Sequence, residues 1–377
     1  MDPALNFLER LFGGNAPPDS AGIEVPLRVI KRAGQPFLLL PFHPREAVAT
    51  LGLYAPQSSR AIVARALLCW CIELAAPWPG QRIRFGVQPN APLSRFLSSL
   101  AGAAQSPRFG ILAGNPASPG QRFLLLCFNA EHRPIAVVKA GSTPRAHELI
   151  QHEETFLAAA AGRFKGIPAL LKTFHSDHVR AFATPFAPGR SPREQDESSL
   201  PEMLNSWVDL TRQVTLLETP AWRALEHTYA ADRQFQIIAA KLRHHRVHPC
   251  LQHGDFAPWN IKVSRDGSWT VLDWERSELI GIPGWDWFHY VLQTGVLVKR
   301  MDAETLVKRT EALLASGSFQ DYASLSGVSG VERELLLSYL LHLVEVIQPS
   351  EGRLESRNLL SALAQCWGLA GREARSA

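Results

Sequence analysis

Long uncharged apolar runs are missing from this sequence of 377 residues. A membrane-spanning helix needs about 18 or more consecutive apolar residues. The nearest candidate, Ala61 to Trp78, is interrupted by Arg65 and Glu73. The opening residues Met1-Asp2-Pro3 also lack the basic and apolar regions of a secretory signal. We therefore expect a cytoplasmic protein that has no membrane segment.

Cysteine is scarce and the net charge is small. The five cysteines are scattered and lack the paired spacing of zinc ligands, which favours reduced thiols. A formal net charge of +4 is far from the strongly basic balance of a nucleic-acid-binding protein. We expect no nucleic-acid partner, although the charge suits an anionic ligand. With 46% hydrophobic and 20% charged residues, the composition excludes a disordered chain.

Hydrophobic patterning divides the sequence into three regions. Residues 1–103 mix strand and helix patterns and form an N-terminal α/β extension of unknown role. Residues 104–190 are rich in strands, and residues 191–377 are mostly helical apart from short strands between Cys250 and Asp286. The strands predicted around the second region are Pro26–Lys31, Pro36–Phe42, Arg82–Val87, Arg108–Ala113, Phe123–Phe128, Ile135–Lys139, Pro168–Phe174 and Val179–Phe186. The predicted helices are Pro44–Tyr54, Ser58–Ala76, Leu93–Ala101, Ala146–Ala161, Glu202–Glu218 and Ala221–His245, with further helices from Trp287 to the C-terminus.

One loop carries a dense set of polar groups. It contains His253, Asp255 and Asn260, and thirteen residues after Asn260 an apolar strand ends at Asp273. Phosphoryl transfer needs a carboxylate that orients or deprotonates the attacking hydroxyl, together with oxygen ligands that hold Mg²⁺ against the phosphates. It also needs a lysine that neutralises the phosphates and a helix glutamate that holds this lysine. Lys139, at a strand end, and a glutamate of the following helix fit these two requirements.

The pattern His253-x-Asp255-x₄-Asn260, followed by Asp273-Trp274-Glu275, resembles the aminoglycoside phosphotransferase and choline kinase family. The segments Gly281–Asp286 and Ala136-Val-Val-Lys139 are also similar to segments of that family and of kinases. The resemblance covers about residues 107 to 370. It implies an α+β, protein-kinase-like fold of two lobes, with a small β-rich N-lobe (104–190) and a mostly helical C-lobe (191–377).

The resemblance also implies roles for residues of the catalytic loop. Asp255 would be the catalytic base or hydroxyl-orienting group, and His253 would support the loop by hydrogen bonding. Asn260 and Asp273 would bind Mg²⁺. Asp286 would cap the helix that follows it and brace the catalytic loop.

The N-lobe roles implied by the resemblance concern the nucleotide. Lys139 would contact the α- and β-phosphates and pair with Glu153, which is preferred over Glu154 because Leu157 follows it by four residues, as in the family's helix. The backbone of the stretch Ala183 to Ala187, including Ala183 and Phe186, would bind the adenine edge. The loop Gly114 to Gly120 lacks the G-x-G-x-x-G pattern, so its contact with phosphates stays open.

Departures from protein kinases favour a small-molecule substrate. Ala257 stands where protein kinases carry a lysine, Trp274-Glu275 replaces Phe-Gly, and no Ala-Pro-Glu segment follows. We expect ATP, or GTP, to donate its γ-phosphate to a hydroxyl of a small acceptor, most readily a sugar, an aminocyclitol or an aminoglycoside. The alternatives are a choline- or ethanolamine-type kinase, a non-catalytic nucleotide-binding scaffold and a protein kinase.

Tryptophan clusters near the catalytic loop. Half of the ten tryptophans lie between residues 259 and 287. Such rings can surround a quaternary ammonium group through cation–π attraction, but core packing is the preferred interpretation, with Trp259 as the exception because it lies in the loop.

Overall fold

A computed structural model of the protein describes residues 5–13, 23–56, 59–102, 107–115 and 120–344, together with residues 362, 363 and 365. Most of the loop Gly114 to Gly120, the residue Cys366 and nearly all of the helices expected after residue 344 lie outside the described residues. Among the residues it describes, no helix is both long and apolar enough to cross a membrane.

The described chain forms two compact units, residues 1–161 with 168–188 (unit 1) and residues 162–167 with 189–377 (unit 2). The strands of unit 1 are β1 (Ile23–Arg32), β2 (Gln35–Pro41), β3 (Gln81–Val87), β4 (Arg108–Ala113), β5 (Phe123–Phe128), β6 (Pro134–Gly141), β7 (Lys172–His175) and β8 (Arg180–Pro185). Its helices are α1 (Asn6–Phe12), α2 (Pro44–Leu51), α3 (Ser59–Glu73), α4 (Pro92–Leu100) and α5 (Pro144–Ala160).

Unit 1 is built on one antiparallel sheet. The strand order is β3-β1-β2-β4-β5-β6-β8-β7. Thus the strands of the N-terminal extension continue the sheet that holds the strands expected for the N-lobe. The domain boundary expected near residue 103 stays a prediction, and the role of residues 1–103 stays open.

The alternation of strand side chains explains how both faces of this sheet are covered near β2. Leu39 packs in a core cluster that also holds Phe7 and Leu97 of α1 and α4. Its neighbours Leu38 and Leu40 belong to a second cluster, with residues of α2 and α3.

The helix α5 packs against β6 and β8. Its N-cap Thr143 accepts a hydrogen bond from the backbone N–H of Ala146 at 3.2 Å.

Unit 2 is mostly helical. Its helices are α6 (Leu200–Asn205), α7 (Pro220–Tyr229), α8 (Arg233–Leu242), α9 (Trp285–Gln293), α10 (Ala303–Ala315), α11 (Gly317–Ser326) and α12 (Glu332–His342). Its strands are β9 (Val214–Thr215), β10 (Arg246–Val247), β11 (Cys250–Gln252), β12 (Ile261–Val263), β13 (Trp269–Val271) and β14 (Glu278–Gly281). Large aromatic side chains such as Trp207, Trp274 and Phe256 are completely buried and pack together in its core.

Two helices expected in this region are shorter than the periodicity predicts. The prediction of a helix over Glu202–Glu218 was wrong, because α6 ends at Asn205 and the Asp209 side chain accepts the backbone N–H of Thr211, forming a turn. The expected helix Ala221–His245 is two helices. Asp232 interrupts it, since its side chain caps the backbone N–H of Phe235 at 2.7 Å and starts α8. The strand expected over Pro168–Phe174 is confined to β7.

The α+β, protein-kinase-like fold expected from the sequence is confirmed, with a β-rich N-terminal lobe and a helical C-terminal lobe. The strands Arg108–Ala113 and Phe123–Phe128 have the bounds predicted from their apolar runs. Both are interior strands of the sheet, which is why their sequences read as nearly continuous apolar segments.

Candidate active site

A short hairpin brings the two residues expected to bind a cation close together in unit 2. The catalytic loop follows β11 and ends in a single 3₁₀ turn, Pro258–Asn260, that leads into β12. In the β12–β13 hairpin, Ile261 pairs with Val271, and the backbone N–H of Leu272 donates to the Asn260 carbonyl at 2.7 Å. Asp273 follows directly, so antiparallel pairing places it beside Asn260 at the open end of the hairpin.

His253 connects the loop to this hairpin. Its Nε2 lies 2.8 Å from the carbonyl oxygen of Leu272, and its Nδ1 lies 3.1 Å from the backbone nitrogen of Asp255. A carbonyl oxygen only accepts and a backbone N–H only donates, so Nε2 carries the proton and Nδ1 is bare. The completely buried ring is therefore a neutral imidazole, and it fixes the spacing between Asp255 and the segment before Asp273.

Asp286 braces the start of the loop. Its two carboxylate oxygens accept the backbone N–H groups of His253, at 2.6 Å, and of Gly254, at 3.0 Å. The side chain is buried in the first turn of α9, where the positive end of the helix dipole favours an anion. Burial raises the pKa of this carboxyl, and the two backbone donors only partly offset that effect.

The carboxylate of Asp255 is held at both oxygens. The Asn260 side-chain amide donates to Oδ2 at 2.9 Å and to the Asp255 backbone carbonyl at 2.9 Å. His289 Nε2 lies 3.0 Å from Oδ1. Burial alone raises the pKa of this carboxyl, but the hydrogen bond from His289 and the nearby Arg276 guanidinium outweigh burial, so the pKa is lowered. Asp255 is thus an oriented anion, which suits a group that accepts a proton from a hydroxyl.

Asp273 adopts an unusual backbone conformation. Its φ is +68°, in the left-handed region that few residues other than glycine occupy, although aspartate tolerates it better than most. Backbone strain of this kind concentrates at functional sites. Asn260 and Asp273 offer amide and carboxylate oxygens, the donors that Mg²⁺ prefers. Because the Asn260 amide nitrogen faces Asp255, its side-chain oxygen is the atom assigned to a cation. The donor set therefore fits a hard divalent ion.

The sequence reasoning missed His289 and Tyr339. His289 lies three residues after Asp286 on α9, a spacing that places both side chains on one face of a helix, and this was the signal available. Tyr339, on α12, bonds to His289 Nδ1 through its hydroxyl at 2.9 Å. It lies fifty residues further along the chain, and no local pattern marks it.

In unit 1, Lys139 forms an ion pair with Glu153. Lys139 is the last residue of the strand expected from the sequence, and it lies within β6. The side chains of Lys139 and Glu153 are both buried. The neighbouring Glu154 instead bonds to His175, at 3.0 Å, and to Arg180. The pairing places Glu153 on the sheet side of α5, with Leu157 one turn later also buried.

The two residues expected to contact adenine also lie in unit 1, at the end of β8. The Ala183 carbonyl accepts the backbone N–H of Leu171 at 2.8 Å, and the Phe186 N–H donates to the Ile135 carbonyl at 3.0 Å. Ala183 is completely buried. These backbone groups serve the sheet, and the assignment of both residues to adenine stays a prediction.

The tryptophans near the loop pack mainly in the core. Trp269, Trp274, Trp285 and Trp287 are all buried, whereas Trp259 is half-buried. The preference for core packing over an aromatic box is confirmed for these four rings, and Trp259 remains the exception.

Comparison with known proteins relates the catalytic loop to a known family. Residues 128–305 match the model of the phosphotransferase enzyme family (APH). This stretch runs from the end of β5 into α10 and includes each of the site residues expected from the sequence. The resemblance to this family that was expected from the sequence is confirmed over these residues, and the protein is a phosphotransferase.

Solved structures resemble the chain more weakly. The aminoglycoside phosphotransferase APH(4)-Ia is 12% identical, with a TM-score of 0.48, over 73% of this chain and 98% of its own. The macrolide 2'-phosphotransferase MphH from Brachybacterium faecium is 14% identical, with a TM-score of 0.40, over 67% and 91%. A streptomycin–ATP complex of APH(2")-IIa is 14% identical, with a TM-score of 0.42, over 74% and 99%. The comparison with curated proteins finds no match. The assignment rests on the family match.

Proposed function

We propose that the protein transfers the γ-phosphoryl group of ATP to a hydroxyl of a small acceptor, a sugar, aminocyclitol or aminoglycoside. The observation that carries this proposal is the Asp255 carboxylate, whose two oxygens are held by Asn260 and His289 while the hairpin keeps Asp273 beside Asn260. A base, an amide and a second carboxylate in this order meet the requirements of phosphoryl transfer.

Asp255 is the group that acts on the acceptor in this proposal. Its carboxylate accepts a hydrogen bond from the acceptor hydroxyl, orients the oxygen in line with the phosphorus and takes the proton as the new bond forms. Its lowered pKa keeps it ionised and ready to accept at neutral pH. His253 and Asp286 position the loop and do not touch the reacting atoms.

Asn260 and Asp273 would hold Mg²⁺ through their side-chain oxygens. The ion, when bound, supplies positive charge that neutralises the phosphate oxygens. In unit 1, Lys139 would bind the nucleotide phosphates, with Glu153 holding its ammonium group in one orientation.

The acceptor class rests on the family match and on the sequence of the loop. Ala257 replaces the lysine that protein kinases carry, so the loop lacks the cation expected with a protein substrate. The four described cysteines are free thiols. This supports a reaction in the cytoplasm, because that compartment holds ATP and keeps thiols reduced.

The test is an acceptor panel with ATP or GTP, Mg²⁺ and the purified full-length chain. Sugars, aminoglycosides and amino alcohols are assayed for acceptor-dependent ADP or GDP release, and products are identified by mass spectrometry. Asp255→Asn should lower turnover by about 10²–10⁴-fold, the usual effect of removing a general base. Asp266→Asn is the matched control, because Asp266 bonds only within its own turn at Ser264 and Ser268 among the contacts described for it.

Two results would overturn the proposal. One is full activity in Asp255→Asn. The other is a chain that is stabilised by ATP and Mg²⁺ in a thermal-shift assay but turns over none of the acceptors, which would favour the scaffold interpretation. Turnover confined to choline or ethanolamine would replace the sugar and aminocyclitol assignment.

A further inference from the structure

A chain of hydrogen bonds leads from the core of unit 2 to Asp255. The Tyr339 hydroxyl lies 2.9 Å from His289 Nδ1, and His289 Nε2 lies 3.0 Å from Asp255 Oδ1. Both side chains are almost completely buried, at 1% exposure for His289 and 2% for Tyr339. Neither belongs to the motifs that carry the family resemblance.

The direction of the bond to Asp255 follows from the groups present. An ionised carboxylate only accepts, so His289 Nε2 carries the proton that it shares with Asp255. The Tyr339 hydroxyl can donate to or accept from Nδ1, and it holds the other side of the ring in either case. The tyrosine therefore fixes the ring orientation of the histidine, as the partner of a ligating or catalytic histidine does elsewhere.

This series of hydrogen bonds fixes the orientation of the Asp255 carboxylate. Asn260 holds Oδ2 of Asp255 and His289 holds Oδ1, so the carboxylate plane is fixed from two sides. Without His289 the carboxylate can rotate about its Cβ–Cγ bond while its bond with Asn260 remains. A general base must lie within about 2.6–3.2 Å of the proton it takes, and a displacement of about 1 Å can cost about 10²-fold in rate.

We propose that His289, held by Tyr339, is a positioning residue that fixes the Asp255 carboxylate in the orientation needed to accept the hydroxyl proton. The proposal rests on the proposed function, since it assigns Asp255 as the base. It concerns the rate of the chemical step and leaves substrate affinity to other residues.

The test compares four variants in the acceptor assay. His289→Leu should lower kcat by about 10–100-fold, the effect of losing one hydrogen bond to a charged group, with KM for both substrates changed less than about twofold. His289→Gln keeps an N–H donor at a similar distance and should recover most of the rate. Tyr339→Phe should give a smaller loss, and Tyr229→Phe, which removes a long 3.4 Å bond to Leu341 in the same unit, should give none.

The possible outcomes separate this proposal from the proposed function. Unchanged kcat in His289→Leu, or equal losses in the Leu and Gln variants at equal melting temperature, would overturn it. If wild type turns over no acceptor, the proposed function fails, and a crystal structure of His289→Leu still decides the positioning. A rotated Asp255 carboxylate supports it, and an unmoved carboxylate refutes it.

A second, independent observation concerns helix α3 in unit 1. Its sequence is apolar on nearly every side, yet Ile72 is the only buried residue among those of α3 whose burial is described. Leu68 and Cys69 are half-buried against the same cluster. A helix without a polar face is normally covered by protein. Five large apolar side chains on or just after α3 are instead 53–59% exposed, namely Ile62, Val63, Leu67, Trp70 and Leu74.

The spacing and the charges of this face indicate its occupant. Val63, Leu67, Trp70 and Leu74 are separated by four, three and four residues, the spacing of a seam between two helices. A basic residue, Arg60, lies at the start of the helix and an acidic residue, Glu73, at its end. An antiparallel copy of the same helix would place Leu67 beside Trp70, and Val63 beside Leu74. Arg60 of each copy would then lie about one helical turn from Glu73 of the other copy, within reach of the long arginine side chain.

The area of the face is consistent with a weak dimer. At the exposures given, the five side chains present about 500 Å² per copy, or about 1,000 Å² for a pair, which is at the lower limit for a specific interface. The self-complementary charges favour a second copy over an unrelated partner.

We infer that α3 packs antiparallel against α3 of a second copy, forming a dimer with two-fold symmetry. Sedimentation of the full-length chain over about 1–100 μM should show a concentration-dependent dimer, as expected for a small interface. Leu67→Glu should abolish it, whereas Leu210→Glu, at a 54% exposed apolar side chain of unit 2, should leave it intact.

Charge reversal tests the antiparallel arrangement. Arg60→Glu alone and Glu73→Arg alone should each weaken the dimer, and the double variant should restore it. A chain that stays monomeric up to 100 μM would overturn the inference, as would a dimer that Leu67→Glu leaves unchanged. A double variant no stronger than the single variants would refute the antiparallel pairing.

Discussion

A half-buried histidine at the end of α12 should make the stability of unit 2 depend on pH. His342 stacks against Trp285, with ring centroids 4.7 Å apart. Its Nδ1 is buried and has no hydrogen-bond partner among the described residues. Burial, together with the nearby side chains of His289 and Arg276, lowers the pKa of His342 from its ordinary value of 6.5 to about 4. The folded protein therefore keeps this ring neutral.

The sign and size of the effect follow from linkage. As the pH falls below about 6.5, the unfolded chain binds a proton at His342 and the folded chain does not, so the free energy of unfolding decreases. The decrease continues until the pH reaches the folded pKa, near 4. At pH 4.5 the difference amounts to about 2.5 kcal/mol, from about 1.36 kcal/mol per pKa unit. This is a large fraction of the stability of a typical domain.

The perturbation is His342→Phe, which keeps an aromatic ring against Trp285 and removes the titration. Urea unfolding followed by tryptophan fluorescence reports mainly on unit 2, because Trp70 and Trp78 lie in unit 1 and the other eight tryptophans in unit 2. Between pH 7 and pH 4.5, wild type should lose about 2–3 kcal/mol more than the variant. The control is His227→Phe, at an exposed position of α7, which should lose as much as wild type. Parallel pH dependences in wild type and His342→Phe would refute the reasoning.

Three further substitutions test the site and its supports. Asp286→Asn places an amide N–H donor against a backbone N–H donor of the loop. It should lower the free energy of unfolding, measured by urea titration, by about 2–3 kcal/mol, and it should also lower kcat. Gly254→Ala should displace the loop, because φ is +80° and a Cβ would lie 2.6 Å from the Arg276 carbonyl oxygen; kinetics should show a kcat loss of more than about tenfold. Lys139→Met removes the partner of the buried Glu153 carboxylate and should destabilise unit 1 by about 3–5 kcal/mol, and the double change with Glu153→Leu should recover part of this in thermal unfolding.

Much of the sheet could be predicted from local sequence. The strands over Arg108–Ala113 and Phe123–Phe128 are short apolar runs between turn residues. This pattern is typical of interior strands that are buried on both faces. The helices of unit 2 were less predictable. Asp232 occurs within an otherwise helical pattern, and its preference for capping over a helix interior decides where α7 ends and α8 begins.

The candidate site was predictable where residue type and spacing coincide. His253, Asp255 and Asn260 share one loop, and Asp273 follows an apolar strand, so a linear pattern was sufficient to bring them together. Tyr339 shows the limit of this reasoning, because the contact with His289 depends on the packing of α12 against α9. A contact between helices that are distant in sequence produces no local residue spacing from which it could be predicted.

The neutral His253 ring explains why the loop and the hairpin act as one structural element. Its Nδ1 accepts the backbone N–H of Asp255 while its Nε2–H donates to the Leu272 carbonyl, one residue before Asp273. A protonated ring would have no acceptor for the Asp255 N–H, and a ring with the other tautomer would lose both bonds. Only one form of the side chain satisfies both partners, so burial of this histidine in its neutral form sets the distance between the base and the cation ligand. The left-handed backbone of Asp273 can persist because the residue before it is fixed twice, by His253 and by the bond from the Leu272 N–H to Asn260.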